Sequence, residues 1–169
     1  ARLVRAETER AEAMTPQEIC AEQPLGDPVA GWTPPPRPDG EGLDGPRVRL
    51  VPLDAAAHAT TLFAGVRGHD RLWTYLPIGP FESETAYAGW MAQAARGDDP
   101  LFLAICDAQT GRALGVASYL RIDPAAGSIE VGHLLFPPGL SGTPAATEAM
   151  YLMMRWAFGA GYRRYEWKC

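Results

Sequence analysis

Residues 101–136 hold three apolar runs with only turn-length breaks between them, which leaves little choice but an antiparallel meander. The runs 101–106 (LFLAIC) and 113–122 (ALGVASYLRI) are separated by Asp107-Ala108-Gln109-Thr110-Gly111, whose glycine supplies the positive φ a hairpin needs. Asp123-Pro124-Ala125-Ala126-Gly127 is a second turn, and 128–136 (SIEVGHLLF) is the third run, stopped by Pro137-Pro138-Gly139. A helix is expected over 143–158, apolar nearly all round (Ala146, Ala149, Met150, Leu152, Met153, Trp156, Ala157), and such a helix should be covered on most sides. Tyr165, Trp167 and Cys169 then alternate with charged residues as a last strand. A meander followed by a right-handed helical crossover gives a mixed, mostly antiparallel sheet flanked by helices, an α/β (α+β) class.

Upstream, 47–52 alternates as a short strand, and Asp54 caps a helix running toward Val66. An aromatic loop follows, 70–81 with Trp73 and Tyr75, and a second helix opens at Ser83 or Glu84 and closes at Gly97. Before Arg47 the character changes. Between Pro24 and Pro46 there are seven prolines and five glycines in 23 residues, including Pro34-Pro35-Pro36. Proline fixes φ and lacks a donor, so this stretch reads as extended polyproline and turns, a wrapping arm or a linker. Trp32 favours an arm docked on the domain. Residues 1–13 read as a disordered or non-native extension, 14–46 as the arm, and 47–169 as the folded domain, with Met14-Thr15-Pro16 resembling a helix start.

Fifteen bases against 20 acids, a net charge of −5, argue against sequence-independent binding to nucleic acid or anionic membranes. No apolar stretch is long enough for a membrane span and no secretory signal opens the chain, so a cytoplasmic protein is expected. Cys20, Cys106 and Cys169 form an odd, widely spaced set with only three histidines beside them; neither a zinc site nor a disulfide framework is expected, and no metal.

The step from the third meander strand into the helix carries the functional hypothesis. Pro137-Pro138-Gly139-Leu140-Ser141-Gly142-Thr143 delivers the chain to a helix N-terminus, where amides lack intrahelical acceptors and the dipole is positive. Such a terminus can seat a diphosphate. A plain connection with a Thr143 cap and Pro144 at the first helical position explains the same residues without a ligand.

Gly142-Thr143-Pro144-Ala145-Ala146-Thr147-Glu148-Ala149, after a strand carrying Ile129-Glu130-Val131-Gly132, resembles the GNAT N-acetyltransferases, and within them the RimJ/RimL-like branch that acetylates ribosomal-protein amino termini. Asp70-Arg71-Leu72-Trp73-Thr74-Tyr75-Leu76 with Gly79-Pro80-Phe81, and the arm from Pro24 to Leu50, are similar to that branch as well, so the resemblance covers roughly residues 24–169. It implies transfer of acetyl from acetyl-CoA to a primary amine, on a protein amino terminus or a small molecule. On it, Ser141, Gly142, Thr143, Ala145 and Ala146 cradle the pyrophosphate, and the backbone of Leu134, Leu135 and Phe136 serves the thioester and pantetheine. Glu130 takes the amine proton directly or through water, and Trp32, Trp73 and Tyr75 line the acceptor site, or else form a satellite core under the two short helices.

Two departures stand against the family pattern. Ser141 replaces the Arg or Gln that opens the loop, and Pro144 removes one amide donor, so weaker diphosphate binding is expected. The family's last helix and two strands, with the Asn and Tyr they carry, have no counterpart in this sequence. The last strand would then be a bare edge, prone to self-association. An active acetyltransferase, an impaired fragment that binds CoA weakly, and a half-protein completed by a partner chain all stay open.

Overall fold

Alternation along each central strand decides which helix it meets. In the computed structural model, residues 29–168 are described. Six strands lie in chain order across one sheet: β1 Leu43–Asp44, β2 Val48–Pro52, β3 Leu101–Asp107, β4 Ala113–Asp123, β5 Ser128–Leu135 and β6 Arg164–Trp167. Neighbours are antiparallel except β5 and β6, which are parallel and joined through α3 (Pro144–Gly159). Helices α1 (Ala55–Val66) and α2 (Glu84–Ala94) bury Leu62, Val66, Tyr87 and Met91 against Phe102, Ala104, Cys106 and Val116. On the opposite face α3 buries Ala149, Leu152, Met153 and Ala157 against Val48, Leu50, Leu103, Ile105, Ala117 and Val131. Leu103 and Ile105 go one way and Phe102, Ala104 and Cys106 the other, as a two-residue period requires.

The caps follow the sequence. The side chains of Asp54, Ser83 and Thr143 accept from the amides of Ala56, Ala86 and Ala146, each satisfying a donor the helix leaves open. α2 ends at Ala94, short of Gly97. Strand β1 was not expected: two residues in a Pro/Gly stretch carry no readable period. It forms because Gly45 turns the chain, its amide donating to Val48 O at 2.9 Å, and sets Leu43 opposite Leu50.

One expectation changes. α3 is not covered on most sides: Ala146, Ala149, Leu152, Met153 and Ala157 form one buried stripe, and Tyr151, Met154 and Phe158 on the other face are exposed. The aromatic loop contains a 3-10 turn, Asp70–Trp73, that carries Trp73 into the core at 5% exposure, edge-on to Phe81 and Tyr87. Trp73 thus packs in the core beneath the two short helices, one of the two places the sequence left open for it. The chain divides into two units, Ala1–Trp32 and Thr33–Cys169, and the boundary falls inside the arm expected over 14–46. In the second unit it is ordered: Tyr162 Oη donates to Pro36 O at 3.0 Å and Arg37 Nη1 to Ile122 O at 2.9 Å. The expected extension 1–13, the helix start at Met14, and Cys20 and Cys169 lie outside the described residues.

Candidate active site

Two bulges shape the centre of the site. Ser118 pairs with Gly132 and Val116 with Leu135, so His133 and Leu134 together oppose Ala117. Farther along, Leu120 pairs with Glu130 and Asp123 with Ser128, so Arg121 and Ile122 oppose Ile129. At each bulge an L-residue takes left-handed backbone, His133 and Arg121 both at φ 48°. That conformation costs of order 1 kcal/mol for such residues and persists only where the surroundings impose it. Asp99 imposes one of them: its carboxylate accepts from the amides of Arg121 at 2.8 Å and Ile122 at 2.9 Å.

The first bulge reverses the strand's parity. Ile129 and Val131 face α3, whereas Leu135 packs with α1 and α2. Between them Glu130, Gly132, His133 and Leu134 line a cleft of about 380 Å³, with Tyr75, Leu76 and Pro77 on one wall and Arg121, Trp167 and Lys168 on another. Strand β6 pairs with β5 only from Ser128 to Val131, so the outer edge from Gly132 to Leu135 meets no strand among the described residues.

Glu130 is 5% exposed, and its Oε2 accepts from Arg121 Nη1 at 2.8 Å and lies 3.6 Å from Lys168 Nζ. The carboxylate thus sits at the cleft wall as a charge balanced by two cations. His133 packs its ring 5.0 Å from Phe102, and Ser118 Oγ lies 2.9 Å from its Nδ1. Burial lowers the His133 pKa below the usual imidazole value, only partly opposed by the Glu130 charge. Tyr75 is almost fully exposed on the wall; Trp32 belongs to the other unit.

The helix terminus lies at the end of the same strand–loop–helix segment. The amides of Leu140 and Ser141 donate to Pro137 O, and that of Thr143 to Leu140 O. Thr143 Oγ1 takes the Ala146 amide at 3.2 Å. Of the expected cradle, the amides of Gly142 and Ala145 meet no acceptor among the described residues, while those of Ser141, Thr143 and Ala146 are already engaged. A cavity of about 660 Å³ opens here, lined by Arg47, Gly142, Thr143, Pro144, Thr147, Glu148 and Tyr151. Gly142 turns into it at φ 71°, where a side chain would be strained. The positive helix end favours an anion there, while the Arg47 guanidinium is already paired with the Glu148 carboxylate on the same wall. Leu135 is buried and Phe136 half-buried, so those two can serve a ligand only through backbone.

Glu148 stands at this cavity for a different reason. Its carboxylate accepts from the amides of Arg47 at 2.7 Å and Val48 at 3.1 Å and from Arg47 Nη1 at 3.1 Å, tying α3 to β2. Desolvation pushes its pKa up, but the amides of Arg47 and Val48 and the Arg47 guanidinium together outweigh it and hold the group below the ordinary glutamate value. Cys106, buried beside His58 with Sγ 4.0 Å from Nε2, has its thiol pKa raised by burial, against the pull of Arg49. Among the described residues no group of His, Cys, Asp or Glu is placed to hold a metal ion, and no helix is long and apolar enough to cross a membrane.

Sequence reasoning missed Arg121, Ser118, Asp99, Lys168 and Arg47 at the site. Only Lys168 left a signal: it continues the alternation with Trp167 one residue past β6, the strand that runs parallel to Glu130's own.

Residues 47–169 match the family model described as "Acetyltransferase (GNAT) domain". Among solved structures, a GCN5-related N-acetyltransferase from Brucella melitensis is 41% identical with a TM-score of 0.77, covering 82% of this chain and 64% of its own. A GNAT-family protein from Chromobacterium violaceum is 39% identical with a TM-score of 0.78, covering 86% of this chain and 73% of its own. The ribosomal L7/L12 alpha-N-protein acetyltransferase RimL is 17% identical with a TM-score of 0.60, covering 76% and 71%, which speaks for the fold alone. No curated protein matches the sequence. This chain spans under two thirds of the Brucella protein's length. With its family model, two relatives near 40% identity and a bulged β5 leading into the α3 terminus, the chain belongs to the GNAT acetyltransferase family.

Proposed function

We propose that this chain transfers an acetyl group from acetyl-CoA to a primary amine. The observation that carries the reading is the pairing of two features on one segment: free amides of Gly142 and Ala145 at an anion-seeking helix end, and an unpaired, bulged strand edge beside a buried carboxylate. The residues present fit such a cosubstrate. Gly142 and Ala145 would hold its diphosphate, with Ser141, Thr143 and Ala146 shaping the turn, and the backbone of Leu134, Leu135 and Phe136 would follow its pantetheine arm. When bound, acetyl-CoA supplies an activated acyl carbon.

The protein's own work is with the amine. An ammonium has no lone pair, so a proton must leave before nitrogen can attack. Glu130 draws the ammonium into the cleft and offsets its positive charge, taking the proton itself or supporting a neighbouring group that takes it. Arg121 and Lys168 hold the carboxylate in place by ion pairs, and Tyr75 stands where an acceptor enters. Protein amino termini and small amines are the two acceptor classes to try.

The test is thiol release from acetyl-CoA with a panel of amino-terminal peptides and small amines. Turnover that needs both substrates and yields an N-acetyl product by mass spectrometry supports the reading; none from any amine, with folded protein, contradicts it.

A further inference from the structure

We infer that His133, held by Ser118, is the cleft's proton acceptor, its Nε2 taking the proton from the incoming amine while Glu130 compensates the charge. This deepens the proposed acetyl transfer and rests on it. The argument is one of hydrogen counting. Ser118 is fully buried on β4, and its Oγ meets both Gly132 O at 3.1 Å and His133 Nδ1 at 2.9 Å. A carbonyl has no hydrogen to give, so the hydroxyl hydrogen goes to Gly132 O. The second contact must then use a hydrogen on Nδ1. That fixes the tautomer with Nδ1 protonated and leaves the Nε2 lone pair unused by any described side chain.

The backbone supports the same assignment. His133 sits at the bulge in a left-handed conformation at φ 48°, an unfavourable one for this residue, and it lines the cleft next to Glu130. Packing against Phe102 fixes the other face of the ring. The groups that face it are Glu130 on its own strand, Ser118 and Arg121 from β4, Lys168 beyond β6 and Tyr75 from the loop before α2. Because burial lowers the His133 pKa, the imidazole enters the reaction neutral. In the step itself the ammonium N–H bond breaks, an Nε2–H bond forms, and the freed lone pair attacks the acyl carbon; the carbon–sulfur bond then breaks, and the departing thiolate leaves as the thiol, matched by the second proton that the new amide nitrogen gives up. The imidazolium then gives its proton to water in the cleft. Ser118 is a positioning residue, since it acts only through His133.

Three measurements on the full chain test this. Nitrogen-15 NMR of the histidine side chains should show His133 protonated at Nδ1, and Ser118→Ala should move it toward the commoner Nε2 form. His133→Asn keeps a side chain that tolerates left-handed backbone, and should lower kcat about 100-fold with little change in the KM for acetyl-CoA. The wild-type pH–rate profile should fall on the acid side below the ordinary imidazole value, and that limb should vanish in His133→Asn and shift in Ser118→Ala. An Nε2-protonated His133 in the wild type, or a His133→Asn variant with unchanged kcat and acid limb, overturns the inference while leaving acetyl transfer itself intact. Absence of turnover in the wild type would instead count against the proposed function.

Discussion

Glu148 and Glu130 stand along the same strand–loop–helix segment, and they have opposite surroundings. Glu148 is met by the amides of Arg47 and Val48 and the Arg47 guanidinium, where the chain enters β2, and these satisfy its oxygens inside the molecule. Glu130 is less exposed, yet its partners are the side chains of Arg121 and Lys168 at an open cleft. Amide partners are fixed by the fold; long side chains can rearrange when a ligand arrives. A carboxylate near a ligand site is thus not functional by proximity alone. What it is bonded to separates a seam from a reactive group.

The comparison breaks most sharply in a pair of isosteric variants. Glu130→Gln should lower kcat about 100-fold with little change in melting temperature, while Glu148→Gln should leave turnover per folded molecule near wild type. If both lose turnover equally, the distinction fails. Next is the wall behind Glu148. A Cβ on Gly45 would stand 2.9 Å from Leu152 Cδ1 and press on the Glu148 carboxylate, so Gly45→Ala should destabilise by about 2 kcal/mol in urea unfolding.

Glu148→Gln itself should lower the melting temperature by about 4 °C near neutral pH. Its sign with pH follows from the depressed folded value. The stabilisation is present above the ordinary glutamate value and disappears as pH falls through the folded one. Wild type and variant melts should therefore converge in acid; a gap that widens there would contradict the seam. The smallest effect expected is Thr143→Ala, which removes the α3 cap and should cost about 1 kcal/mol while freeing the Ala146 amide.

The same contrast explains what could be read before the structure. The α3 terminus was legible because its determinants are local: Thr143 as cap, Pro144 at the first helical position, glycine where φ is positive. The sheet order followed from turns of five residues or so. The bulges were not legible. Left-handed Arg121 and His133 are imposed by Asp99, Ser118 and the neighbouring strand, and neither residue type announces such a backbone. Trp73 was ambiguous for a similar reason, since an aromatic loop reads alike whether it lines a pocket or fills a core, and only the 3-10 turn sends it inward. β1 left no trace because two residues have no period.

The central claim is that the unengaged Gly142 and Ala145 amides and the open β5 edge hold coenzyme A. Isothermal titration of coenzyme A into the full chain tests it most directly. The account predicts one saturable site per chain, weakened at least about tenfold by Ala145→Pro, which removes a single amide at a first-turn position where proline is tolerated. A folded wild-type sample that gives no binding heat across a range of temperatures would contradict it.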